Sequence, residues 1–165
     1  MYRYAFQGFD KEKMSRAVGL DLPISMKNGT MVCNAIRGKK VNRAKKILND
    51  AMNLKTAIEF TKYNKDRGHK PGMGPGKYAV NTCKEILAIL DNAEANAHQK
   101  NLGTELSVKH ACIHIASRPF RYGRKKRQRT KRSHVEIVLE ETKEEKKEVK
   151  EEAKTGQKKE KEGKK

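Results

Sequence analysis

The sequence is poor in the residues that build large cores, disulfide frameworks and membrane spans. It has no Trp, five Tyr and four Phe among 165 residues. Its three cysteines, Cys33, Cys83 and Cys112, are odd in number and far apart, with no Cys-x-x-Cys pair. They are typical of reduced, small apolar residues in a cytosolic protein and argue against a disulfide scaffold. No stretch approaches the roughly 18–20 apolar residues that a membrane span needs, so we expect no span.

Acidic residues are also scarce relative to basic ones. Lys and Arg number 39 against 20 Asp and Glu, which gives a formal net charge of +19. Residues 143–165 contribute only +3 of that charge, and their Glu/Lys composition predicts a disordered tail. The remaining +16 lies on residues 1–142, where it repels itself unless a polyanion supplies counter-charge. Nucleic acid is therefore the expected partner.

Hydrophobic periodicity predicts three helices. The first has Ser25 as its candidate N-cap and ends at Gly38, although Gly29 within it costs about 1 kcal/mol relative to Ala. The second begins near Asn42, and the third runs from Ala79 to about residue 100. The intervening residues 64–78 contain four Gly and two Pro, which predicts a loop.

Three strands are predicted from alternating patterns. Tyr and Phe alternate with other residues over 1–9, which indicates a short first strand. Residues 106–116 and 134–140 predict two further strands that form an antiparallel hairpin. The expected fold class is α+β: three helices packed on a small three-stranded antiparallel sheet, with an extended basic β-hairpin and a disordered, charged C-terminal tail. We expect a single RNA-binding domain over residues 1–142, which includes the hairpin at 117–133.

The most informative segment is residues 118–132, in which nine of fifteen residues are Arg or Lys and none is acidic. Arginine offers a planar fork for phosphate oxygens, and the interleaved Phe120 and Tyr122 suit stacking on unpaired bases. With almost no apolar content, this arm should take its shape only against RNA. A solvated basic turn or a localisation patch is the alternative interpretation.

The glycine-rich loop is the second candidate site. It does not fit the phosphate-binding loop of nucleotide-hydrolysing enzymes. Pro71 stands where that loop requires Gly, and Tyr78 stands where it requires Ser or Thr. Lys70, Lys77 and the start of the following helix suit a structural phosphate, whereas a plain exposed loop is the equally simple alternative.

Metal and catalytic sites are not expected. His110, Cys112 and His114 fall on one face of a predicted strand and have the right chemistry for zinc. At period two, however, the three residues span roughly 13 Å, too far to close on one ion without a ligand from elsewhere. No paired carboxylates and no Ser/His/Asp grouping stand out, so we expect neither an enzyme nor a cofactor.

Six short motifs occur in an order that resembles a known family. They are Leu22-Pro23-Ile24-Ser25, Ala35-Ile36-Arg37-Gly38, the loop from His69-Lys70-Pro71-Gly72 through Gly76-Lys77-Tyr78, Asn92-Ala93-Glu94-Ala95-Asn96-Ala97, His114-Ile115-Ala116 and Ser133-His134-Val135-Glu136-Ile137-Val138. Together they resemble the large-subunit ribosomal protein family L-twenty-two, in its archaeal and eukaryotic branch, over roughly residues 1–141. The resemblance implies a small α+β body whose hairpin, here Ser117 to Ser133, runs through ribosomal RNA (rRNA) and lines the nascent-peptide exit tunnel. The arm departs from the family pattern: it is several residues shorter before Gly123, and basic residues replace an Ala-rich stretch after Arg124.

The resulting expectation is a structural constituent of the large ribosomal subunit, cytoplasmic and in the ribosome. Its partners would be large-subunit rRNA, neighbouring ribosomal proteins and the nascent peptide near the hairpin tip. The residues expected to bind rRNA are Lys39, Lys40, Arg43, His69, Lys70, Lys77, Arg118, Arg121, Tyr122, Arg124, Lys125, Lys126, Arg127, Arg129, Lys131 and Arg132. The alternative is a basic DNA-packaging or regulatory protein, which the acidic residues of the third helix disfavour as a major-groove reader. An RNA-modifying enzyme would require a cofactor or metal pocket.

Overall fold

A computed structural model of the chain describes residues 2–103 and 105–142. In chain order the elements are β1 (Met14–Leu22), α1 (Met26–Ile36), α2 (Val41–Met52), β2 (Ile58–Glu59), β3 (His69–Lys70), β4 (Gly74–Lys77), α3 (Val80–Gln99), β5 (Leu106–Ile115), a 3₁₀ turn (Gly123–Lys125) and β6 (Ser133–Glu141). The predicted tail at 143–165 lies outside the described residues. Of the helices in the described ranges, none has both the length and the apolarity that crossing a bilayer requires.

The main sheet is antiparallel, with strand order β1-β6-β5. Its central strand carries the core residues Val135, Ile137 and Leu139, all fully buried. Ile137 is paired with Ala17 of β1 on one side and with Ala111 of β5 on the other. The helices lie on this face, where α1 packs on β5 and α3 packs on β1 and β6. The α+β fold class and the antiparallel pairing of β5 with β6 are therefore confirmed.

The first strand is not where the sequence pattern predicted it. Residues 2–9 form no strand, and β1 begins at Met14. The prediction was wrong because the core-facing residues of β1 are small, so they give almost no hydrophobic signal. Ser15 is fully buried and its hydroxyl donates a 2.9 Å hydrogen bond to the carbonyl of Ala93 in α3. Gly19 leaves room for Ile89, so α3 approaches the sheet closely.

The aromatic residues that suggested a strand at 1–9 instead cover the second face of the sheet. The hydroxyl of Tyr2 donates a 2.7 Å hydrogen bond to Glu136, and the rings of Phe6 and His110 lie 5.2 Å apart. The guanidinium of Arg16 lies 4.3 Å from the ring centre of Tyr4. Because this segment, the N-terminal strap (residues 2–9), shields the face opposite the helices, β6 is buried on both sides.

The glycine-rich segment forms a second small sheet rather than the predicted loop. Its strand order is β2-β4-β3, with Ile58 paired to Lys77 and His69 paired to Pro75. The density of Gly and Pro is tolerated because each ladder is only two pairs long. Gly72 takes a φ of +76° at the turn, and Gly76 is closely covered by the stem of Lys70.

The helices follow their predicted positions. Ser25 occupies the N-cap position of α1, and Gly38 follows the helix with a φ of +73°, as a C-terminal glycine should. Lys45 of α2 lies 2.7 Å from Asp91 of α3 and also contacts Glu94. Burial alone would lower the pKa of Lys45. Its hydrogen bonds to these two carboxylates outweigh that effect, so the pKa of Lys45 is raised. The two helices are thus joined by an ion-pair cluster at the edge of their apolar contact.

Candidate nucleic-acid interface

The basic arm extends beyond the sheet as a hydrogen-bonded hairpin. The amide of Ala116 donates to the carbonyl of Arg132 at 3.1 Å, and that of Thr130 donates to Pro119 at 2.9 Å. Nearer the tip, the amide of Arg121 donates to Gln128 at 2.9 Å. These bonds continue the antiparallel ladder of β5 and β6, so the arm is a direct extension of the two strands that carry the core.

The tip of the arm is a compact turn. The 3₁₀ turn spans Gly123–Lys125, and Gly123 adopts a φ of +66°, a conformation that other residues rarely take. The amides of Lys126 and Gln128 bond back to the carbonyls of Gly123 and Lys125. This turn reverses the chain directly after the exposed ring of Tyr122.

The side chains of the arm point into solvent. All residues of 117–129 are exposed, and Tyr122 is 93% exposed. Phe120 is 56% exposed and is covered on one side by Arg129, whose guanidinium lies 4.5 Å from its ring centre. The exposed basic residues predicted from the sequence are Arg118, Arg121, Arg124, Lys125, Lys126, Arg127, Arg129 and Lys131. They present a dense positive surface with two aromatic faces.

Arg132 differs from the other predicted arm residues. It is half-buried, and its guanidinium donates a 2.9 Å hydrogen bond to the carbonyl of Asp21 in β1. Ser133, the next residue, is buried and bonds through its hydroxyl to the carbonyl of Ile24. Arg132 therefore anchors the base of the arm to the body, in addition to adding positive charge there.

A cavity of about 260 Å³ opens at the root of the arm. Its lining includes Ser25, the N-cap of α1, and Lys27 in the first turn of that helix. Arg118 and Lys131 of the arm, far away in the sequence, line it as well. The start of α1 and four basic side chains, with Arg132 as the fourth, thus line the same space, which favours an anionic group.

The small second sheet adds further cations to this region. Burial, followed by the charges of Arg67 and Lys131, lowers the pKa of Lys77. Lys77 of β4 lines a cavity with Asn28 of α1, to whose side chain Arg67 donates a hydrogen bond, and Asn28 follows Lys27 at the root of the arm. The sequence motifs had not indicated that these residues are neighbours. Lys70 lies over the ring of Tyr78 at 5.1 Å, and His69 is exposed on β3. We name Lys27, Arg67, Lys77, Arg118 and Lys131 the root cluster.

Lys27 and Arg67 were missed by the sequence analysis. Lys27 stands in the first turn of α1, which contains no acidic residue. A cation there is unfavourable toward the helix dipole, and that mismatch was a signal that could have identified it. Arg67 had no such signal, because it lies in an irregular segment. Its guanidinium stacks 4.9 Å from the ring centre of Phe60, and its Nε is buried with no hydrogen-bond partner within residues 2–103 and 105–142.

The predicted body residues Lys39, Lys40 and Arg43 lie elsewhere. Lys40 is bridged to Ser107 at the start of β5, whereas the arm begins after the end of that strand. A strand of this length separates the two regions by roughly 30 Å. All three side chains are exposed, and Lys40 forms a 2.9 Å salt bridge with Glu105. They form a second basic surface, distinct from the root cluster.

The residues weighed as zinc ligands lie on the other face of the sheet, under the N-terminal strap. Donor atoms of His110, Cys112 and Glu136 lie within 4.8 Å of one another. Burial and the nearby Glu136 raise the pKa of Cys112 to about 11. Burial, and then the charge of Arg37, lower the pKa of His110. Glu136 was not considered from the sequence, because it belongs to a different strand.

Comparison with known proteins places these features in one family. The model of a family described as Ribosomal protein L22p/L17e matches residues 17–140. The chain belongs to this family. The matched segment of this L22p/L17e chain begins in β1, includes the whole basic arm and ends in β6. The family is one of structural, non-enzymatic ribosomal proteins.

Archaeal relatives of this L22p/L17e chain cover most of its length. The protein of Archaeoglobus fulgidus named large ribosomal subunit protein uL22 is 39% identical over 112 residues, which is 66% of this chain and 72% of the relative. The uL22 of Staphylothermus marinus is 34% identical over 155 residues, covering 85% of this chain and 97% of the relative. That of Methanosphaera stadtmanae is 35% identical over 147 residues, covering 84% and 96%. The resemblance seen in the sequence motifs is confirmed.

Proposed function

We propose that this protein is a structural constituent of the large ribosomal subunit, in the cytoplasm, and that residues 1–142 act as a single rRNA-binding domain. The relatives are named as large-subunit proteins. The observation that carries the proposal is the exposed arm, which concentrates basic residues without one acidic residue. A surface of this kind gains most when several phosphate groups surround it.

The root cluster and the arm have different roles in this proposal. The root cluster and its cavity hold a phosphate group at the point where the arm leaves the body, which sets the direction of the arm. The arm then passes between RNA segments and neutralises their phosphates. The second basic surface, at Lys39, Lys40 and Arg43, contacts another part of the rRNA roughly 30 Å away. The protein would thereby hold two RNA regions at a defined distance and orientation.

Charge reversal in the arm tests this function. Changing Arg124, Lys125, Lys126 and Arg127 to Glu should block incorporation into large subunits, because repulsion replaces phosphate neutralisation along the tip. The matched control changes the exposed Lys11, Lys46, Lys55 and Lys84 to Glu, with the same change in net charge. Sucrose gradients of tagged protein measure incorporation. Normal incorporation of the arm variant would contradict the proposal.

The DNA-binding alternative predicts a different binding preference. Tight binding to duplex DNA with no preference for structured rRNA fragments would favour it. The α3 helix offers little support for that alternative, since Asp91 and Glu94 lie on its surface and are bridged to Lys45. An elongated basic hairpin with exposed aromatic rings suits unpaired bases and converging RNA strands better than a regular duplex.

The tip of the arm is the part proposed to reach the nascent peptide in the exit tunnel. Tyr122 is nearly fully exposed beside the turn and is therefore available for contact. A photo-crosslinking residue at position 122 should label a stalled nascent chain in purified ribosomes, whereas the same residue at position 84 on α3 should not. Labelling of rRNA alone from position 122 would show that the shortened arm stops within the RNA wall.

A further inference from the structure

A group of metal-binding side chains lies across β5 and β6, on the sheet face that the N-terminal strap covers. Cys112 and Glu136 are directly paired across the ladder, and His110 lies two residues before Cys112 on the same face. The donor atoms of His110, Cys112 and Glu136 all lie within 4.8 Å of one another. Spacing along one strand had argued against a site, but the third ligand comes from the neighbouring strand.

These distances are close to those of a tetrahedral zinc site. Zinc–nitrogen bonds of about 2.0–2.1 Å and zinc–sulfur bonds of about 2.3 Å place neighbouring donors roughly 3.3–3.8 Å apart. Side-chain rotations that move each donor atom by about 1 Å would therefore bring the three donors within bonding distance of one ion. The Nε2 atom of His114 lies 3.1 Å from Cys112 Sγ and 3.2 Å from a carboxylate oxygen of Glu136. His114 therefore adjoins the group on its Cys112–Glu136 side, and a movement of its ring toward His110 would make it the fourth ligand.

Two features of the site point to a cation. Glu136 is fully buried, and its salt bridge within the described part of the chain, to His114 at 3.2 Å, is an ion pair only when that imidazole is protonated. Buried carboxylates are normally paired with a positive group or bound to a metal. Independently, the Nε2 atom of His110 is buried and has no hydrogen-bond partner among the described residues. A single ion between these side chains would satisfy both.

The surroundings also resemble those of a metal site. The hydroxyl of Tyr2 donates to one oxygen of Glu136 at 2.7 Å, and the amide of Ala5 donates to the other at 3.0 Å. Hydrogen bonds of this kind orient a ligating carboxylate. The donor set of two imidazoles, one carboxylate and one thiol suits zinc rather than magnesium or calcium, which prefer all-oxygen sites. The Cys112 thiol loses its proton to solvent as its sulfur binds the ion.

We propose that His110, Cys112, His114 and Glu136 form a structural zinc site that ties β5 to β6 beneath the N-terminal strap. The site lies on the sheet face that the strap covers, a few residues before the arm begins. It acts on the stability of the body and is independent of the rRNA-binding function. The ligand that this site binds is a divalent zinc ion.

Metal binding to the full chain tests the proposal. The chelated protein should bind one equivalent of Zn²⁺, and Co²⁺ in its place should give the visible bands of tetrahedral cobalt and the near-ultraviolet band of a thiolate–cobalt bond. Zinc at a hundredfold excess over its dissociation constant should raise the midpoint of thermal unfolding by about 5–10 °C. The same metal content should be found in large subunits purified without chelator.

Variants distinguish this site from other metal-binding groups. Cys112→Ser should abolish the thiolate band and weaken zinc binding by more than about 100-fold, whereas Tyr2→Phe, which removes one hydrogen bond to a ligand, should weaken it by about 10–100-fold. His98→Ala, at an exposed histidine on α3, is the matched control and should bind as the native chain does. Absence of the thiolate band in the native chain, or equal zinc binding by the native chain and a folded Cys112→Ser variant, would overturn the proposal.

Discussion

Gly29 in α1 lies directly against Ile113 in β5. A Cβ atom at position 29 would overlap the Cδ1 atom of Ile113. The glycine that looks like a defect in the helix is therefore the point at which α1 comes closest to the sheet. Its cost in helix propensity, about 1 kcal/mol relative to Ala, is accepted because a side chain would separate the two elements.

Gly29→Ala should therefore lower the free energy of unfolding, although Ala is the better helix former. Overpacking costs about 1–3 kcal/mol, which equals or exceeds the gain in propensity of about 1 kcal/mol. Urea denaturation of the purified chain measures the change. Ile113→Val in the same chain should recover part of the loss, because it removes the methyl group at the contact. The control, Gly68→Ala, has open space around its Cβ position and should change stability by less than about 0.5 kcal/mol.

Binding to an rRNA fragment should depend strongly on salt. If six side chains of the arm contact phosphates, the slope of log affinity against log salt concentration should be about −4 to −5. Arg127→Gln should reduce the magnitude of that slope by about 0.7–0.9, because one fewer counterion is released. Lys84→Gln on α3 is the control for charge and should leave the slope unchanged. Filter binding or fluorescence anisotropy over a salt series would measure both, and a slope near zero would contradict phosphate contact by the arm.

Lys77 should stabilise the bound state and destabilise the free protein. Burial and the charges of Arg67 and Lys131 lower its pKa below the ordinary 10.5, so its charged form opposes folding. Lys77→Met should raise the unfolding free energy at pH 7 by up to about 0.5 kcal/mol while weakening rRNA binding. The folded state loses this proton first, so the native chain gains stability as the pH rises toward 10.5, and the difference between the two proteins should shrink. Equal unfolding free energies of the two proteins at pH 7 and at pH 10 would argue against burial and charge repulsion at Lys77.

Backbone hydrogen bonds in the arm should open readily in the free chain. The amides of Arg121 and Gln128 are bonded within the part of the arm, residues 117–129, whose side chains are all exposed and which buries almost no apolar surface. We expect their hydrogen exchange to be fast in the isolated protein and slow in the intact large subunit. The amide of Val108 in the sheet is the internal reference and should be protected in both states. Slow exchange of the arm in the isolated chain would contradict folding against RNA.

Sequence patterns predicted the elements with strong periodicity. The apolar stripe of α3 and the alternation of β6 placed both elements within one or two residues, because each buries a continuous row of Leu, Ile, Val and Ala. The strand at Met14–Leu22 was missed because Ser15, Ala17 and Gly19 are small and their burial is decided by α3. The aromatic residues of the strap misled the prediction for the opposite reason: their pattern was strong, but they cover a sheet instead of joining it.

The sequence by itself determined that the chain carries a basic arm without acidic residues, that this arm connects two strands, and that the family is L22p/L17e. Those properties are local: composition, charge and short motifs can be read along the chain. The tertiary structure alone decided that Lys77 meets the root of the arm, that Lys39 and Arg43 do not, and that Glu136 lies beside Cys112 and His110. Such neighbours depend on strand register and helix packing between residues far apart in the chain, which no local pattern encodes.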